Sequence, residues 1–117
     1  MKFRSCPLGP RMPDYVARPG DRAGDADLWN KPAGTWRWMF ANGVRYLEVV
    51  IPGDPPSHDF TGGVMDFPVV EGPHDKEKHI WGWDGNFDSP TLNPSLGVGT
   101  PFWWHGWCQD GMLNAAE

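Results

Sequence analysis

The sequence contains no long apolar run, and this absence bears on where the protein is found. No stretch approaches the roughly eighteen apolar residues of a membrane-spanning helix. The first residues, MKFRSCPLGPRMP, also lack the apolar centre of a secretory signal peptide. We therefore expect a protein that is made in the cytoplasm and is either kept there or packaged from it, with no part in a membrane.

Cysteine is scarce as well, which limits covalent cross-linking. The two cysteines are Cys6 and Cys108, near opposite ends of the sequence. Thiols in a reducing compartment remain free unless they serve a redox function. We therefore expect two free cysteines and a fold that is held together without a disulfide.

Basic residues are scarce in the C-terminal part of the chain. Residues 1–45 carry eight Lys or Arg and four Asp or Glu, a net charge of +4. Residues 46–117 carry two Lys and eleven Asp or Glu, a net charge of −9. An acidic body repels the phosphates of nucleic acids, so direct nucleic-acid binding is not expected. The basic N-terminal part can lie against this acidic body or against an acidic neighbour.

Long helical patterns are missing, and the composition favours strands and turns. Fifteen Gly and thirteen Pro interrupt the chain, while 14% of the residues are aromatic and eight are Trp. Gly and Pro break helices, whereas buried aromatic rings can supply a core. We predict an all-β, mostly antiparallel fold, either a small sandwich or a partly open barrel. Residues 1–34, rich in Pro and Gly, are expected to form an extended N-terminal arm, and residues 35–117 a single β domain.

One hairpin is indicated by alternation and a turn signal. The runs TWRWMF (35–40) and VRYLEVVI (44–51) flank the dipeptide Asn-Gly at 42–43, which is a preferred hairpin turn. The alternation places Trp36 and Trp38 on one face of the first strand. We expect both indole rings to point inward.

The next strand pattern contains a proline. The run VMDFPVV (64–70) is rich in strand formers, but Pro68 lacks a backbone N–H. Proline in a sheet is found mainly on edge strands or at bulges. The sequence therefore predicts an edge strand or a bulge here.

Most of the aromatic surface belongs to residues 80–111, IWGWDGNFDSPTLNPSLGVGTPFWWHGWCQDG, which hold five of the eight Trp. Trp81 and Trp83 share one face of a strand, and we expect both to point inward. The Asp-Gly dipeptides at 84–85 and 110–111 predict turns, and the Pro steps between them predict extended chain. The predicted order is strand, turn, extended crossing, strand, turn.

The order of motifs in this segment resembles a family of small proteins from tailed phages and prophages. Members carry a W-x-x-x-G…P-T-x-x-P-S signature, then a histidine, an aromatic residue and a D-G turn. The matching positions are Trp81, Gly85, Pro90, Thr91, Pro94, Ser95, His105, Trp107, Asp110 and Gly111. The family has no established activity, so the resemblance implies a phage origin, and with it the host cytoplasm or the virion, but no mechanism. Many relatives also carry a Cys-rich segment upstream and a Cys before the histidine; here those positions hold LEVVIPG (47–53) and Trp104.

His105 is the first candidate for chemistry, because imidazole binds metals and titrates near neutral pH. Together with Cys108 it supplies two zinc ligands at most, whereas a tetrahedral site needs three or four. A partly buried histidine that bonds to the backbone explains the same residue without a metal. We expect no cofactor, and zinc at His105 and Cys108 is the alternative.

The Trp cluster and its polar neighbours are the second candidate. The stretch from Asp84 to Asp88 begins like a calcium loop, but Ser89 stands where that loop needs Gly. We expect a turn held by Asx hydrogen bonds instead. The Trp rings themselves suit a core, a protein interface, or a platform for sugars or bases. The candidate binding residues are Trp81, Trp83, Asp84, Asn86, Trp103, Trp104, His105 and Trp107.

Signatures of catalysis are weak throughout the chain, since it contains no nucleophile elbow, phosphate loop or dinucleotide fingerprint. The hypothesis is a phage-encoded, non-catalytic binding protein with a protein partner. That partner is a second copy in a homo-oligomer, a virion subunit held by the basic arm, or a host defence or nucleic-acid-handling factor inhibited through the acidic surface. The alternative is a metal-dependent enzyme or a carbohydrate-binding module centred on His105 and the Trp cluster.

Overall fold

The computed structural model describes residues 4–18, 28, 31–52, 63–75, 77–98 and 104–116. These residues form ten strands and no helix. The strands are β1 (Cys6–Pro7), β2 (Tyr15–Val16), β3 (Trp36–Ala41), β4 (Val44–Val50), β5 (Val64–Glu71), β6 (Trp81–Trp83), β7 (Leu92–Asn93), β8 (Leu96–Val98), β9 (Trp104–Gln109) and β10 (Met112–Ala115).

The strands form two sheets that share one core. The smaller sheet has the order β1-β10-β9-β8, and the larger has the order β2-β3-β4-β5-β6-β7. All neighbours are antiparallel except the pairs β2–β3 and β5–β6, which are parallel. Buried residues from both sheets join in a single hydrophobic cluster. The prediction of a mostly antiparallel all-β fold is confirmed, and of the two architectures the sandwich is the one observed.

The predicted hairpin forms at the Asn-Gly turn. Asn42 and Gly43 both have positive φ, 52° and 77°, which is the geometry of the two-residue turn that matches strand twist. This turn fixes the register, so that Trp38 lies opposite Leu47. Asp110 and Gly111, with φ of 49° and 73°, join β9 to β10 by the same kind of turn.

The tryptophans of the larger sheet form the centre of the core. Trp36, Trp38 and Trp83 are buried, as the alternation predicts, and Trp81 is half-buried. The ring centroids of Trp38 and Trp83 lie 4.9 Å apart, and those of Trp36 and Trp38 lie 5.6 Å apart at nearly a right angle. Such tilted and edge-to-face contacts are the favourable geometries for aromatic pairs.

The prediction of an edge strand at Pro68 is wrong for the strand as a whole. Strand β5 is interior, with β4 on one side and β6 on the other. Pro68 lies opposite Tyr46 of β4, but the pairing of β5 with β6 begins only at Val69. Among the described residues, Pro68 therefore has a neighbouring strand on one side only. The missing N–H is accommodated because β6 is short.

The described residues of the predicted arm are bonded to both sheets. Strand β1 pairs with β10 at the edge of the smaller sheet, and β2 pairs with β3 at the edge of the larger one. The indole N–H of Trp104 donates to the carbonyl of Arg4 at 2.7 Å. Gly34, with φ of 92°, lies so close to the carbonyl of Pro7 that a Cβ would collide with it. The division into an arm and a domain stays a prediction, but residues 4–18 lie along the body.

A buried ion pair lies on the other face of the larger sheet. Arg37 and Glu48 are directly opposite in the β3–β4 register, and the guanidinium Nε donates to the Glu48 carboxylate at 2.6 Å. Both side chains are buried, and the Arg37 guanidinium also lies 4.6 Å from the ring centroid of Tyr15 on β2. Oε2 of Glu48 is buried and accepts no hydrogen bond from the described residues. The negative charge of the buried Glu48 carboxylate is therefore balanced by the Arg37 guanidinium.

We expect the change Trp83→Ala to lower the free energy of unfolding by about 3–5 kcal/mol, because it leaves a cavity beside Trp38. The matched control is Trp107→Ala, since Trp107 is exposed on β9 and its loss is expected to cost about 0.5 kcal/mol or less. Urea melts of both variants measure the difference. Equal losses would contradict the core assignment.

We expect Arg37→Met to cost about 3–5 kcal/mol, because it leaves the Glu48 carboxylate buried without its counter-charge. The control is Arg11→Met. Arg11 also pairs with two carboxylates, those of Asp14 and Asp88, but both are largely exposed to solvent. Exposed pairs of this kind contribute about 0–1 kcal/mol, and Arg11 also donates to the carbonyl of Phe87, so we expect this control to lose about 1–2 kcal/mol. Denaturant melts in which the two variants lose the same stability would refute the buried pair.

Candidate functional site

Strand β9 distributes its predicted site residues over two faces. Its burial alternates along the strand, so that Trp104 and Cys108 point into the core while His105 and Trp107 point to solvent. His105 and Cys108 therefore lie on opposite faces of the strand, because residues three apart in a strand do not share a face. The two candidate zinc ligands are therefore not brought together. Trp103 lies outside the described residues.

His105 differs from the buried, backbone-bonded histidine that was one interpretation of the sequence. Its side chain is exposed, and its Nε2 lies 3.0 Å from the hydroxyl oxygen of Ser95. Its ring centroid is 5.7 Å from that of Trp107. The described residues contain no group of three or more His, Cys, Asp or Glu placed to hold a metal ion. His105 is thus a surface residue with one hydroxyl partner.

The polar residues after β6 are engaged in the turn that they form. Oδ1 of Asp84 accepts the backbone N–H groups of Asn86 and Thr91, at 3.1 and 3.2 Å. Oδ1 of Asn86 accepts those of Asp88 and Ser89, at 3.0 and 2.9 Å. These are the Asx bonds that the sequence predicts. Asp84 and Asn86 therefore act first as turn residues, and they position the chain between β6 and β7.

The predicted tryptophan platform is divided in the same way. Trp83 and Trp104 are buried and cannot stack on a ligand. Trp81 is half-buried and Trp107 is exposed, so these two are the described members that reach the surface. The sequence predicts the inward orientation of Trp83, but it does not distinguish Trp104, which is buried, from Trp107, which is exposed.

A different surface is formed by apolar side chains around one arginine. The described residues include five large hydrophobic side chains that are exposed: Val16 (67%), Phe40 (38%), Val70 (43%), Phe87 (47%) and Trp107 (40%). Phe40 and Phe87 contact the Arg45 guanidinium, and Val16 and Val70 each line a groove that Arg45 also lines. Val16 and Phe40 are paired in the β2–β3 register, and Phe40 is paired with Arg45 across the hairpin. We call Val16, Phe40, Arg45, Val70 and Phe87 the arginine–aromatic patch.

The Arg45 guanidinium lies among aromatic rings. Its central carbon is 4.9 Å from the centroid of Phe87, 5.3 Å from that of Phe40, and 5.5 Å from those of Trp38 and Trp83. A cation within about 6 Å of a ring centroid is attracted by the ring's quadrupole. Among the described residues Arg45 forms no salt bridge. Its charge is therefore held in place by rings, and no carboxylate of the described chain pairs with it.

Two grooves border this guanidinium. One, of about 180 Å³, is lined by Asp14 and by residues of β2, β3 and β4 that include Val16, Phe40 and Arg45. The other, of about 310 Å³, is lined by Phe40, Arg45, Val70 and Glu71 among others. Phe40 and Arg45 belong to both, so they form a ridge between the grooves. A protein segment that seats here meets apolar walls, the positive charge of Arg45, and one carboxyl group in each groove, Asp14 in the smaller and Glu71 in the larger.

Phe87 is placed in the patch by the core and by the Asx turn. The indole N–H of Trp38 donates to the carbonyl of Phe87 at 2.9 Å, and Nη1 of Arg11 donates to the same carbonyl at 3.2 Å. The ring of Phe87 then packs against Trp83, with centroids 4.9 Å apart. The patch residues were not among the predicted site residues. Only the contact between Phe40 and Arg45 can be anticipated, from the register that an Asn-Gly turn imposes.

No family model, no curated protein and no solved structure shows significant similarity to the chain. The described residues contain no helix that is both long enough and apolar enough to cross a membrane. Function must therefore be inferred from the geometry of this molecule.

Cys108 gives a pH-dependent test of the core behind β9. Its thiol is buried and donates to the carbonyl of Pro90 at 3.3 Å. Burial raises the pKa of this thiol from 9.0 to about 12, and the negative charge of Asp84 adds to the rise. As pH rises above 9.0, the thiol therefore ionises in the unfolded chain while it stays protonated in the folded one, which favours unfolding.

We expect the free energy of unfolding of the natural protein, relative to Cys108→Ser, to fall by about 1.4 kcal/mol per pH unit between pH 9.0 and about 12. Serine retains the donor to Pro90 but does not ionise in this range. Cys6 is present in both proteins, so its own titration cancels. Urea melts at a series of alkaline pH values measure the difference; curves that stay parallel would contradict a buried, protonated thiol.

Proposed function

We propose that this chain is a phage-encoded, non-catalytic binding protein whose arginine–aromatic patch is its protein-binding surface. The observation that carries the proposal is that, of the five exposed large hydrophobic side chains of the described residues, two contact the Arg45 guanidinium and two more line the grooves beside it. Scattered single apolar residues are normal on a surface, whereas a contiguous group marks an interaction site.

The composition of the patch suits a protein partner. Aromatic residues and arginine are enriched at the energetic centres of protein interfaces. The Arg45 side chain is already fixed by ring contacts, so little side-chain entropy is lost when a partner binds. The patch therefore offers apolar area and a preorganised charge at the same place.

The charge of the patch defines the chemistry of the partner. Arg45 makes no salt bridge with the described residues, so a carboxylate on the partner can pair with its guanidinium. Apolar side chains on either side of that carboxylate would enter the two grooves. The partner segment is therefore an Asp or Glu flanked by apolar residues. A polyanion is disfavoured, because residues 46–117 carry a net charge of −9.

The resemblance to phage proteins provides the setting. In one version the partner is a virion subunit or a second copy of the chain. In the other it is a host factor that handles nucleic acid or takes part in defence, and the acidic body then keeps nucleic acid away from that factor. Both versions use the same patch and differ in which protein carries the partner segment.

The test compares immobilised proteins in a bacterial lysate, with quantitative mass spectrometry of the proteins that each retains. The patch variants are Arg45→Gln and Phe87→Ala, and the matched control is Trp107→Ala, which removes the exposed ring outside the patch. We expect a protein that is retained by the natural chain and by the control, and reduced about tenfold or more by either patch variant. Native mass spectrometry of each purified protein shows whether that partner is a second copy.

Two results would contradict the proposal. Retention that is unchanged in both patch variants would place the binding surface elsewhere, and retention that is lost in the control would move it to β9. Thermal melts are measured alongside, so that a variant that has lost its fold is not counted as one that has lost its surface.

A further inference from the structure

A second concave site, which Arg45 does not line, lies at the start of β6. It is a cavity of about 250 Å³ lined by His74, Asp75, His79, Ile80, Trp81 and Pro94. This is below the roughly 300–1,000 Å³ of pockets for drug-sized ligands, so it fits a single ring. We call it the Trp81 pocket. His105, the histidine that the sequence emphasises, does not line it.

The walls of the Trp81 pocket are positioned by backbone pairing. The antiparallel register of β6 and β7 pairs Gly82 with Asn93, which brings the next residues, Trp81 and Pro94, to the same end. The chain before β6 folds back on itself, because the backbone N–H and carbonyl of Asp75 both bond to those of Ile80, at 2.9 and 3.1 Å. This returning segment carries both pocket histidines.

The returning segment is packed directly over Gly82. A Cβ at Gly82 would lie 2.7 Å from the backbone nitrogen of His74 and 2.5 Å from the carbonyl oxygen of Gly72. Any larger residue would push the segment away, so glycine allows this close approach. The position of His74 relative to Trp81 is therefore set by main-chain packing and does not depend on a mobile side chain.

Trp81 forms a fixed apolar wall. Its indole N–H donates to the carbonyl of Ser95 at 3.1 Å, and its ring meets Phe67 edge to face, with centroids 5.2 Å apart. These contacts satisfy its polar atom and fix its orientation. The part of the ring that remains exposed lines the pocket beside Ile80 and Pro94. A flat or ring-shaped apolar surface is the complement of such a wall.

The polar side of the pocket consists of two imidazoles and one carboxylate. His74 and His79 are exposed at its rim. Oδ1 of Asp75 accepts the backbone N–H groups of Glu77 and Lys78, each at 3.1 Å, which fixes the carboxylate. These groups donate and accept hydrogen bonds, as a hydroxylated ligand requires. They do not form a metal-ligating group among the described residues.

His79 occupies a strained backbone position. Its φ is 56°, in the left-handed region that glycine adopts without cost and other residues seldom adopt. At this backbone position glycine would be free of strain, yet the chain has a histidine, whose imidazole lines the pocket.

We infer that the Trp81 pocket binds a neutral saccharide ring. The C–H face of the sugar packs on the Trp81 indole, and its hydroxyl groups bond to His74, His79 and the Asp75 carboxylate. A phosphorylated ligand such as a nucleotide is disfavoured, because Asp75 lines the pocket and no Lys or Arg is among its described lining residues. This site is distinct from the arginine–aromatic patch, and its inference does not depend on the proposed function.

The test is a titration followed by proton–nitrogen NMR of the indole N–H groups of the full chain. The probes are glucose, galactose, mannose and N-acetylglucosamine, with uridine monophosphate as the anionic comparison. Trp81→Phe retains an aromatic ring and assigns the Trp81 signal by its loss. We expect at least one sugar to shift that signal in a saturable manner, and the nucleotide to leave it unchanged.

The variant His79→Gly separates the contribution of His79 to sugar binding from its contribution to stability. It removes one hydrogen-bonding group and also relieves the positive φ, so we expect sugar affinity to fall roughly two- to tenfold while the unfolding midpoint does not fall. The matched control Trp107→Ala is expected to bind as the natural protein does.

The inference is overturned if no sugar moves the Trp81 signal, if the nucleotide moves it instead, or if affinity is unchanged in His79→Gly. A loss of sugar binding in Trp107→Ala would also overturn it, because the ring on β9 would then be the platform.

Discussion

The contact between Trp38 and Trp83 is the interaction on which the rest of the structure depends. Their ring centroids are 4.9 Å apart, and both rings are buried between the two sheets. The same two rings also support the surface above them. The Trp38 indole N–H donates to the carbonyl of Phe87, and both ring centroids lie 5.5 Å from the Arg45 guanidinium. The core and the proposed protein-binding surface are therefore parts of one aromatic cluster. A change that loosens the core is expected to disturb the patch as well.

Local patterns in the sequence predict the elements whose causes are local. The Asn42-Gly43 turn, and the alternation of Trp36 and Trp38, are each decided by a few neighbouring residues, and both are found as predicted. The interior position of β5 was not predicted, because it depends on where β6 begins to pair. The parallel pairing of β2 with β3 was not anticipated either. It joins segments that are far apart along the chain, and no turn signal connects them.

The candidate sites were also harder to predict, because they depend on contacts between distant parts of the chain. The patch residues Val16, Phe40, Arg45, Val70 and Phe87 come from separate parts of the chain, and sheet order brings them together. The predicted residues were instead grouped in sequence. In a strand, contiguous residues alternate between core and solvent, so the run that holds Trp104 and His105 was divided between the two. A cluster in sequence predicts a site only when all its members share a face.

The arginine–aromatic patch and the Trp81 pocket are neighbours in the molecule. Ile80 lines both the groove beside Arg45 and the Trp81 pocket, so one side chain of the segment before β6 is a common wall. A ligand in the pocket and a protein on the patch would therefore contact opposite sides of the same residue. The acidic side chains limit which partners qualify. Asp75 and Glu71 line the two sites, and the body around them is strongly negative. Polyanionic glycans would be repelled, whereas a neutral sugar in the pocket and a protein that offers one carboxylate to Arg45 would not.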